Sequence, residues 1–445
     1  MNYEKQFAKQ NRSLLLFLLL FFVSINSYAD WELVKQLDAT YATFVTKSGN
    51  ILLSDFRIER DGGIYISTNE GDTWTKTNAK DYNYNKFVEV GNYIFAIGYG
   101  ANIARSADGG HTWTECTYAN AVRDIFSEDN MPYTVCYACA YHKNKLYVAD
   151  FCGGGILYSE DFAQTWKRTD LSSLKYKAED DDGVPVENTE NIYQLVSYKG
   201  KLYAFGVYFV FCLDETNNTW KTISDKSNFM AVSTIFDNTL LLGRSVPNDD
   251  FKTPFILTLE DEDKWGSLPR PTGVMDNNIR AMASDDTYIY VGLQKGGLFY
   301  TSNKGNKWVN FSQGYPKMEQ MGNIYLTPTQ LFATTNYIYV SVYEPQGVSK
   351  KSGLYRFKKT ELTPAAGIER ANRNKNISIY IDGYTLCSNI EDNVTIDIFD
   401  VNGIKRNIAL INGKANISFL NNGVYTYKLC IGNYVYKGKL VKHSR

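Results

Sequence analysis

The chain has 445 residues, 44% of them hydrophobic and 21% charged, and a net charge of −1. That size and composition predict a globular, core-forming protein of two or three domains. A balanced charge without a basic stripe excludes nucleic acid as an expected partner, because phosphate binding needs concentrated Lys and Arg.

Residues 1–29 read as a signal peptide. Lys5, Lys9 and Arg12 precede an apolar run at 14–23 that is short for a bilayer span, and Ser27, Tyr28 and Ala29 carry the spacing a signal peptidase prefers. Cleavage after Ala29 leaves Asp30 at the mature N-terminus. No later stretch is long and apolar enough for a transmembrane helix, so the expected protein is secreted or held at the outer-membrane surface. An uncleaved N-terminal anchor is the alternative, opposed by the short tether before Trp31.

From Trp31 onward, tryptophans recur at Trp74, Trp113, Trp166, Trp220, Trp265 and Trp308, 39 to 54 residues apart. Most close one phrase: STNEGDTW at 67–74, SADGGHTW at 106–113, SEDFAQTW at 159–166 and TSNKGNKW at 301–308, with degraded copies ending at Trp220 and Trp265. Such a period predicts a propeller or solenoid. Each interval holds short apolar or alternating runs separated by Gly, Asn and Asp turn signals, which argues strands. In one interval the strands fall at 86–91, 93–99, 102–107 and 113–118, so the fourth is expected to begin at the tryptophan. Second strands of the same kind recur at 51–56, 145–151, 201–208, 239–244, 288–293 and 337–343, seven in all. The run at 31–37 is a fourth strand with no first three before it, and 353–359 is a third strand with no tryptophan strand after it. The two complete one seventh blade and so hide exposed strand edges.

The repeated phrase resembles the Asp box, S-x-D-x-G-x-T-W, of sialidases, xyloglucan-degrading hydrolases, sortilin-type receptors and a seven-bladed photosystem II assembly factor, over 31–359. The resemblance implies an all-β fold: a seven-bladed β-propeller over 30–359, with the box on the outer rim, away from the axial site. The residues at box positions are Ser67, Asn69, Gly71 and Trp74; Ser106, Asp108, Gly110 and Trp113; Ser159, Asp161 and Trp166; and Asn303, Gly305 and Trp308. An Asp side chain can cap turn amides, Gly takes a backbone shape others resist, and Trp buries a large ring between sheets. These are fold residues. Asn replaces Asp at 69 and 303, and Ala163 replaces Gly, changes a turn tolerates and a catalytic carboxylate does not.

Residues 360–376 are polar and break the strand rhythm, as a linker does. Strands resume at 377–381, 394–403, 415–420, 423–432 and 434–442. With the turns IFDVNG at 398–403 and LNNGVY at 420–425 and the final strand GKLVK at 438–442, the segment 377–445 resembles the C-terminal sorting domain of the Bacteroidetes type IX secretion system, a small β-sandwich. The resemblance implies the secretion machinery as a partner. Ile381-Asp382-Gly383 stands where that family has Pro-Asn-Pro, and a plain adhesive β-sandwich would share the strand pattern.

Seven cysteines, Cys116, Cys136, Cys139, Cys152, Cys212, Cys387 and Cys430, are compatible with export and disulfides. Cys136 and Cys139 have C-x-x-C spacing, but strand alternation points them to opposite faces, so a buried structural role or one disulfide with Cys152 is expected rather than a metal site. The histidines His111, His142 and His443 are scattered. Zinc of the His-rich type and a Ser-His-Asp hydrolase are both disfavoured, since His142 would have to serve alone. The acidic run Glu179 to Asp182 matches no calcium-loop pattern and reads as a solvated loop. No metal and no cofactor are expected.

Phe56-Arg57-Ile58-Glu59 superficially resembles the sialidase Phe-Arg-Ile-Pro phrase, but Glu59 replaces the proline, the phrase directly precedes the first box, and seven blades stand where sialidases have six. A glycosidase with unassigned carboxylates is therefore the alternative reading. The favoured one is binding of a glycan or protein by the loops gathered at one face. The contacts expected there are Arg57, Glu59, Arg60, Tyr99, Asp150, Phe151, Tyr208, Arg244, Asp249, Lys295, Tyr343 and Glu344. The 34 tyrosines suit strands first, with room for ring-face recognition besides.

Overall fold

The computed structural model describes residues 30–37, 40–55, 62–98, 102–116, 136–150, 155–179, 185–225, 232–244, 256–261, 264–272, 274, 276, 278–318, 324–344, 351–362, 379–390, 394–401, 404–431 and 434–443. The signal segment and the linker from 363 onward lie outside them. The chain divides into two compact units, Met1–Gly367 and Ile368–Arg445. Apart from short 3-10 turns such as Leu171–Leu174, the regular structure of both is strand.

In the first unit the described residues form seven four-stranded antiparallel sheets, numbered I to VII here. Sheet I holds Thr40–Val45, Ile51–Asp55, Gly63–Ser67 and Thr75–Lys76; sheet II holds Tyr84–Val90, Tyr93–Gly98, Ile103–Ser106 and Thr114–Glu115. Sheet III holds Cys136–His142, Lys145–Asp150, Gly155–Ser159 and Lys167–Arg168, and sheet IV holds Ile192–Tyr198, Lys201–Gly206, Val210–Asp214 and Thr219–Ser224. Sheet V holds Val232–Phe236, Thr239–Gly243, Ile256–Asp261 and Lys264–Leu268, and sheet VI holds Ile279–Ser284, Ile289–Leu293, Gly297–Thr301 and Val309–Asn310. Sheet VII takes Thr327–Ala333, Tyr337–Tyr343 and Gly353–Lys358 from the end of the unit and Glu32–Gln36 from its start.

The second strands are apolar because both their faces are covered. All five residues of Ile51–Asp55 and of Ile289–Leu293 are buried. First and second strands join through two-residue turns with positive φ at both positions, Lys143-Asn144, Lys199-Gly200 and Asp237-Asn238, whose twist matches that of the hairpin. One apolar cluster fills each gap between consecutive sheets. Leu52, Ile64, Phe87 and Ala96 join I to II; Leu240, Leu242, Tyr203 and Phe205 join IV to V; Ile51, Leu53, Tyr339 and Leu354 join VII back to I. The ring is therefore closed by packing as well as by strand pairing.

The fourth strands differ from expectation. Instead of running from the tryptophan over 113–118, the strand in sheet II is only Thr114–Glu115, and those in I, III and VI are equally short. The indole turns inward, with Trp113 Nε1 donating to Gly110 O at 2.9 Å, and the chain pairs with its partner strand at Ala104 and Arg105, followed by one bond from the Cys116 amide to Ile103 O. Short outer strands leave little edge for other chains to pair with. In other sheets the tryptophan reaches its neighbour. Trp31 Nε1 donates to Phe311 O at 2.8 Å, Trp220 Nε1 to Thr169 Oγ1 at 2.9 Å and Trp308 Nε1 to Pro269 O at 2.8 Å.

The turns before Trp74, Trp113, Trp166 and Trp308 are each one hydrogen-bonded unit. Ser106 Oγ donates to Asp108 and accepts from the Gly110 amide, while Asp108 accepts from the Thr112 amide at 2.9 Å and the Thr112 hydroxyl at 2.6 Å. Burial raises the Asp108 pKa, but the hydroxyl and amide of Thr112 and the hydroxyl of Ser106 outweigh it and hold the carboxyl at about 2. Asn69 and Asn303 accept from Thr73 and Lys307 amides in the same way. Ala163 adopts φ +67, at the place where the other turns have Gly71, Gly110 and Gly305.

The strand Glu32–Gln36 pairs antiparallel with Gly353–Lys358. Arg356 then fastens the joint: Nε donates to Glu32 at 2.9 Å, and Nη1 donates to Asp72 at 2.6 Å and to Glu70 O at 2.9 Å in the adjoining turn.

The second unit packs the sheet Ile379–Asp382, Thr385–Ser388 and Lys414–Asn416 with a sheet ordered Lys405–Leu410, Val394–Phe399, Gly423–Ile431 and Tyr434–Lys442. Leu386, Ile396, Ile398, Leu410 and Leu429 fill its core. The strand expected at 415–420 is shorter: Ala415 and Asn416 end the strand Lys414–Asn416, and 417–420 form a turn. Its carbonyls at Ile417 and Leu420 point at the buried ammonium of Lys442, which donates to them at 2.8 and 2.5 Å.

Trp31 packs with Phe311, Tyr315 and Phe357 at the ring joint. Trp31→Ala is expected to lower stability by about 3–5 kcal/mol, read as a lower urea midpoint; an unchanged midpoint would show that the joint does not hold the ring.

Candidate functional site

The ends of the second strands carry the expected contact residues. Arg57, Glu59, Arg60, Tyr99, Phe151 and Asp249 lie outside the described residues, and Asp150 is described only as the last residue of its strand. The other five stand on four sheets. Tyr208 is 53% exposed and Tyr343 40%, and Lys295 is exposed with its amide on Asp276. Arg244 and Glu344 are only 4% and 6% exposed. The Arg244 carbonyl accepts from the Ile279 amide at 3.0 Å, and Glu344 is tied to Ser352 and the Lys351 amide. At that burial neither charge is presented at the surface.

One corner of sheet IV gathers aromatic rings. The insertion at 171–191 contains a two-stranded hairpin, Lys175–Glu179 with Pro185–Thr189; of the acidic run 179–182, expected as a solvated loop, all but Glu179 lies in the tip at 180–184, outside the described residues. The hairpin brings Tyr176 against Tyr208 at 5.3 Å and Phe209 at 5.9 Å between ring centroids. Phe209 in turn packs on Phe211, which belongs to the core between sheets III and IV. The platform is therefore rooted in the sheet.

Glu190 sets the turn that displays Tyr208. It is 1% exposed, its Oε1 accepts from the Tyr208 amide at 2.9 Å, and the Gly206 amide donates to Phe209 O across the turn. A Cβ at Gly206 would lie 2.3 Å from Glu190 Cγ, so only glycine leaves room for the carboxyl. Burial pushes the Glu190 pKa up, against the opposing amides of Tyr208 and Val207, and Oε2 has no hydrogen-bond partner. Tyr193, beside them, is also pushed up by burial. Half-exposed phenol rings on a fixed turn offer a rigid face for the apolar side of a sugar or for a protein side chain.

Two expectations about reactive groups are corrected. Cys136 and Cys139 do not face opposite ways: a bulge between Cys136 and Ala138 shifts the strand by one residue, and both cysteines join the cluster between sheets II and III. Burial pushes the Cys139 thiol up to about 12, which makes it inert. His142 does not stand alone. Its Nδ1 lies 2.8 Å from Ser197 Oγ and its Nε2 3.1 Å from Glu215 Oε1, partners 55 and 73 residues away that no local pattern reveals. Among the described residues, no three His, Cys, Asp or Glu side chains converge as metal ligands.

No protein-family profile matches the chain, and no curated protein does. Among solved structures, YCF48 from Cyanidioschyzon merolae is 14% identical over 75% of this chain and 100% of its own, with a TM-score of 0.50. YCF48 bound to D1 peptide is 14% identical over 75% and 97%, with a TM-score of 0.48. PorZ, a surface component of the type-IX secretion system of Porphyromonas gingivalis, is 14% identical over 89% and 64%, with a TM-score of 0.38. The first of these likenesses shows the β-propeller fold; none bears on ligand or activity.

Glu190 gives a direct test of the corner. A carboxyl whose folded pKa is raised contributes stability that is present below its unfolded value, near 4.3, and is lost as pH rises through the folded one. Glu190→Gln should therefore be more stable than the parent at pH 7, by on the order of 1 kcal/mol, and the advantage should vanish by pH 4. A melting difference that does not change with pH would contradict the burial of an unpaired carboxylate.

Proposed function

We propose that the protein is an exported β-propeller that binds a glycan or a protein through the strand-end face carrying Tyr208. The observation that supports this most is the ring cluster of Tyr176, Tyr208 and Phe209, with Tyr208 half exposed on a turn locked by Glu190. Lys295 and Tyr343 are exposed at equivalent strand ends and extend the contact surface. Tyrosine supplies area at low conformational-entropy cost, which suits a rigid scaffold whose variation lies at its turns.

The export route proposed is type IX secretion, with the second unit as the sorting domain. The support is the resemblance of 377–445 in its turns and final strand, together with the folding of Ile368–Arg445 as a β unit of its own. The turns ending in tryptophan act as fold elements, since their carboxylates and amides are consumed by their own backbone.

Glycan-array binding by the purified chain is the test of the ligand class. Tyr208→Ala is expected to weaken capture about tenfold, the value of a lost aromatic contact of roughly 1.4 kcal/mol. Undiminished capture would place the ligand elsewhere, and a blank array would leave protein as the ligand class. Export has a separate readout: deletion of residues 377–445 is expected to retain the propeller in the periplasm, and unaltered secretion would refute the sorting role.

A further inference from the structure

We propose that Ser197, His142 and Glu215 form an acyl-transfer site at the end of the ring opposite the aromatic corner. His142 ends the first strand of sheet III and is 3% exposed, whereas Ser197, near the end of the first strand of sheet IV, is exposed. Glu215 stands in the turn between the third and fourth strands of sheet IV. The site thus exists only because two sheets pack side by side.

The hydrogen bonds fix the tautomer. Burial raises the Glu215 pKa, but hydrogen bonds from Lys143, at 2.6 Å, and His142 outweigh it and hold the carboxyl below its usual range. An ionised Glu215 accepts a hydrogen bond from Nε2–H, so the lone pair of His142 is on Nδ1, facing the Ser197 hydroxyl at 2.8 Å. Nucleophile, base and orienting acid are therefore in the order that acyl transfer requires, with the two imidazole nitrogens exchanged relative to the serine protease arrangement.

A purely mechanical role has a ready comparison in the next sheet. Tyr198 ends the first strand of sheet IV as His142 ends that of sheet III, and its hydroxyl clamps sheet V by bonding to the carbonyls of Asn238 and Glu260. A clamp of that kind uses backbone acceptors. His142 instead joins an exposed hydroxyl to a carboxylate.

In the first half-reaction Ser197 Oγ attacks the carbonyl carbon of an ester, and its proton passes to Nδ1. The bond to the alcohol breaks, the imidazolium returns the proton to the departing oxygen, and an ester to Ser197 remains. Water, deprotonated by the same nitrogen, then releases the carboxylic acid and restores the serine. General-base assistance is worth about 10²–10⁴-fold, which suits activated esters of small acyl groups and not amides.

The test uses the full chain with a fluorophosphonate probe, peptide mapping by mass spectrometry, and p-nitrophenyl acetate turnover. Ser197 is expected to carry the label, and Ser197→Ala to lose it. Glu215→Gln and His142→Gln should slow labelling and turnover about tenfold or more; Glu215 is partly exposed, so its variant should keep the parental melting temperature. An unlabelled Ser197, or labelling at the parental rate in both variants, would overturn the proposal.

Discussion

Each of sheets I to VII shares its apolar faces with two neighbours, and this mutual burial is what the rest of the fold depends on. Phe87 of sheet II, for example, is covered by sheet I, while Phe95 and Ile97 of the same sheet are covered by sheet III. A four-stranded sheet of this size cannot bury both sides alone, so a missing neighbour would expose a whole cluster. The cluster of Leu37, Ile51, Leu53, Tyr339 and Leu354 removes the last open face. It is built from the two ends of the unit, and Trp31 and Arg356 concentrate stability there.

The same constraint explains where polar chemistry sits. Between sheets, polar side chains pair with one another: Thr43 with Gln330, Thr234 with Ser284, His142 with Ser197 and Glu215. At the strand ends, buried charge is tied to backbone, as with Glu190 and Glu344. Buried polar groups without partners are costly, so the solitary Oε2 of Glu190 marks the corner beside Tyr208 as one whose state depends on pH. The turns ending in tryptophan occupy the opposite situation: Asp108 is saturated by its own amides and hydroxyls, and Asn69 fills the equivalent place without a charge.

Much of the fold was legible because strands buried on both faces leave continuous apolar runs, and the tryptophan phrase marks the repeat. The second strands and the final strand Tyr434–Lys442 were read nearly to the residue. Elements with solvated faces were not. Lys405–Leu410 begins with three exposed polar residues, and the hairpin Lys175–Glu179 with Pro185–Thr189 buries almost nothing, so neither carries a hydrophobic alternation. The bulge at Cys136 inverted an inference that rested on strict alternation. Tyr208 could be named as a strand-end residue, but Tyr176 and Glu190 join it only through the path of the insertion. The partners of His142 come from another sheet, so no sequence pattern joins them.

The pairing of Glu32–Gln36 with Gly353–Lys358 also governs the order of events during folding. A contact separated by more than 300 residues carries a loop-closure cost on the order of 5 kcal/mol, and topologies with such separations fold slowly. Sheets I to VI are made of segments adjacent in the chain and form without this joint. Sheet VII has to wait for both ends. A chain emerging from its N-terminus therefore keeps its first strand unpaired until nearly the whole propeller has appeared, and stays an open arc, fit to be passed along as an unfinished molecule, until the strand Gly353–Lys358 arrives.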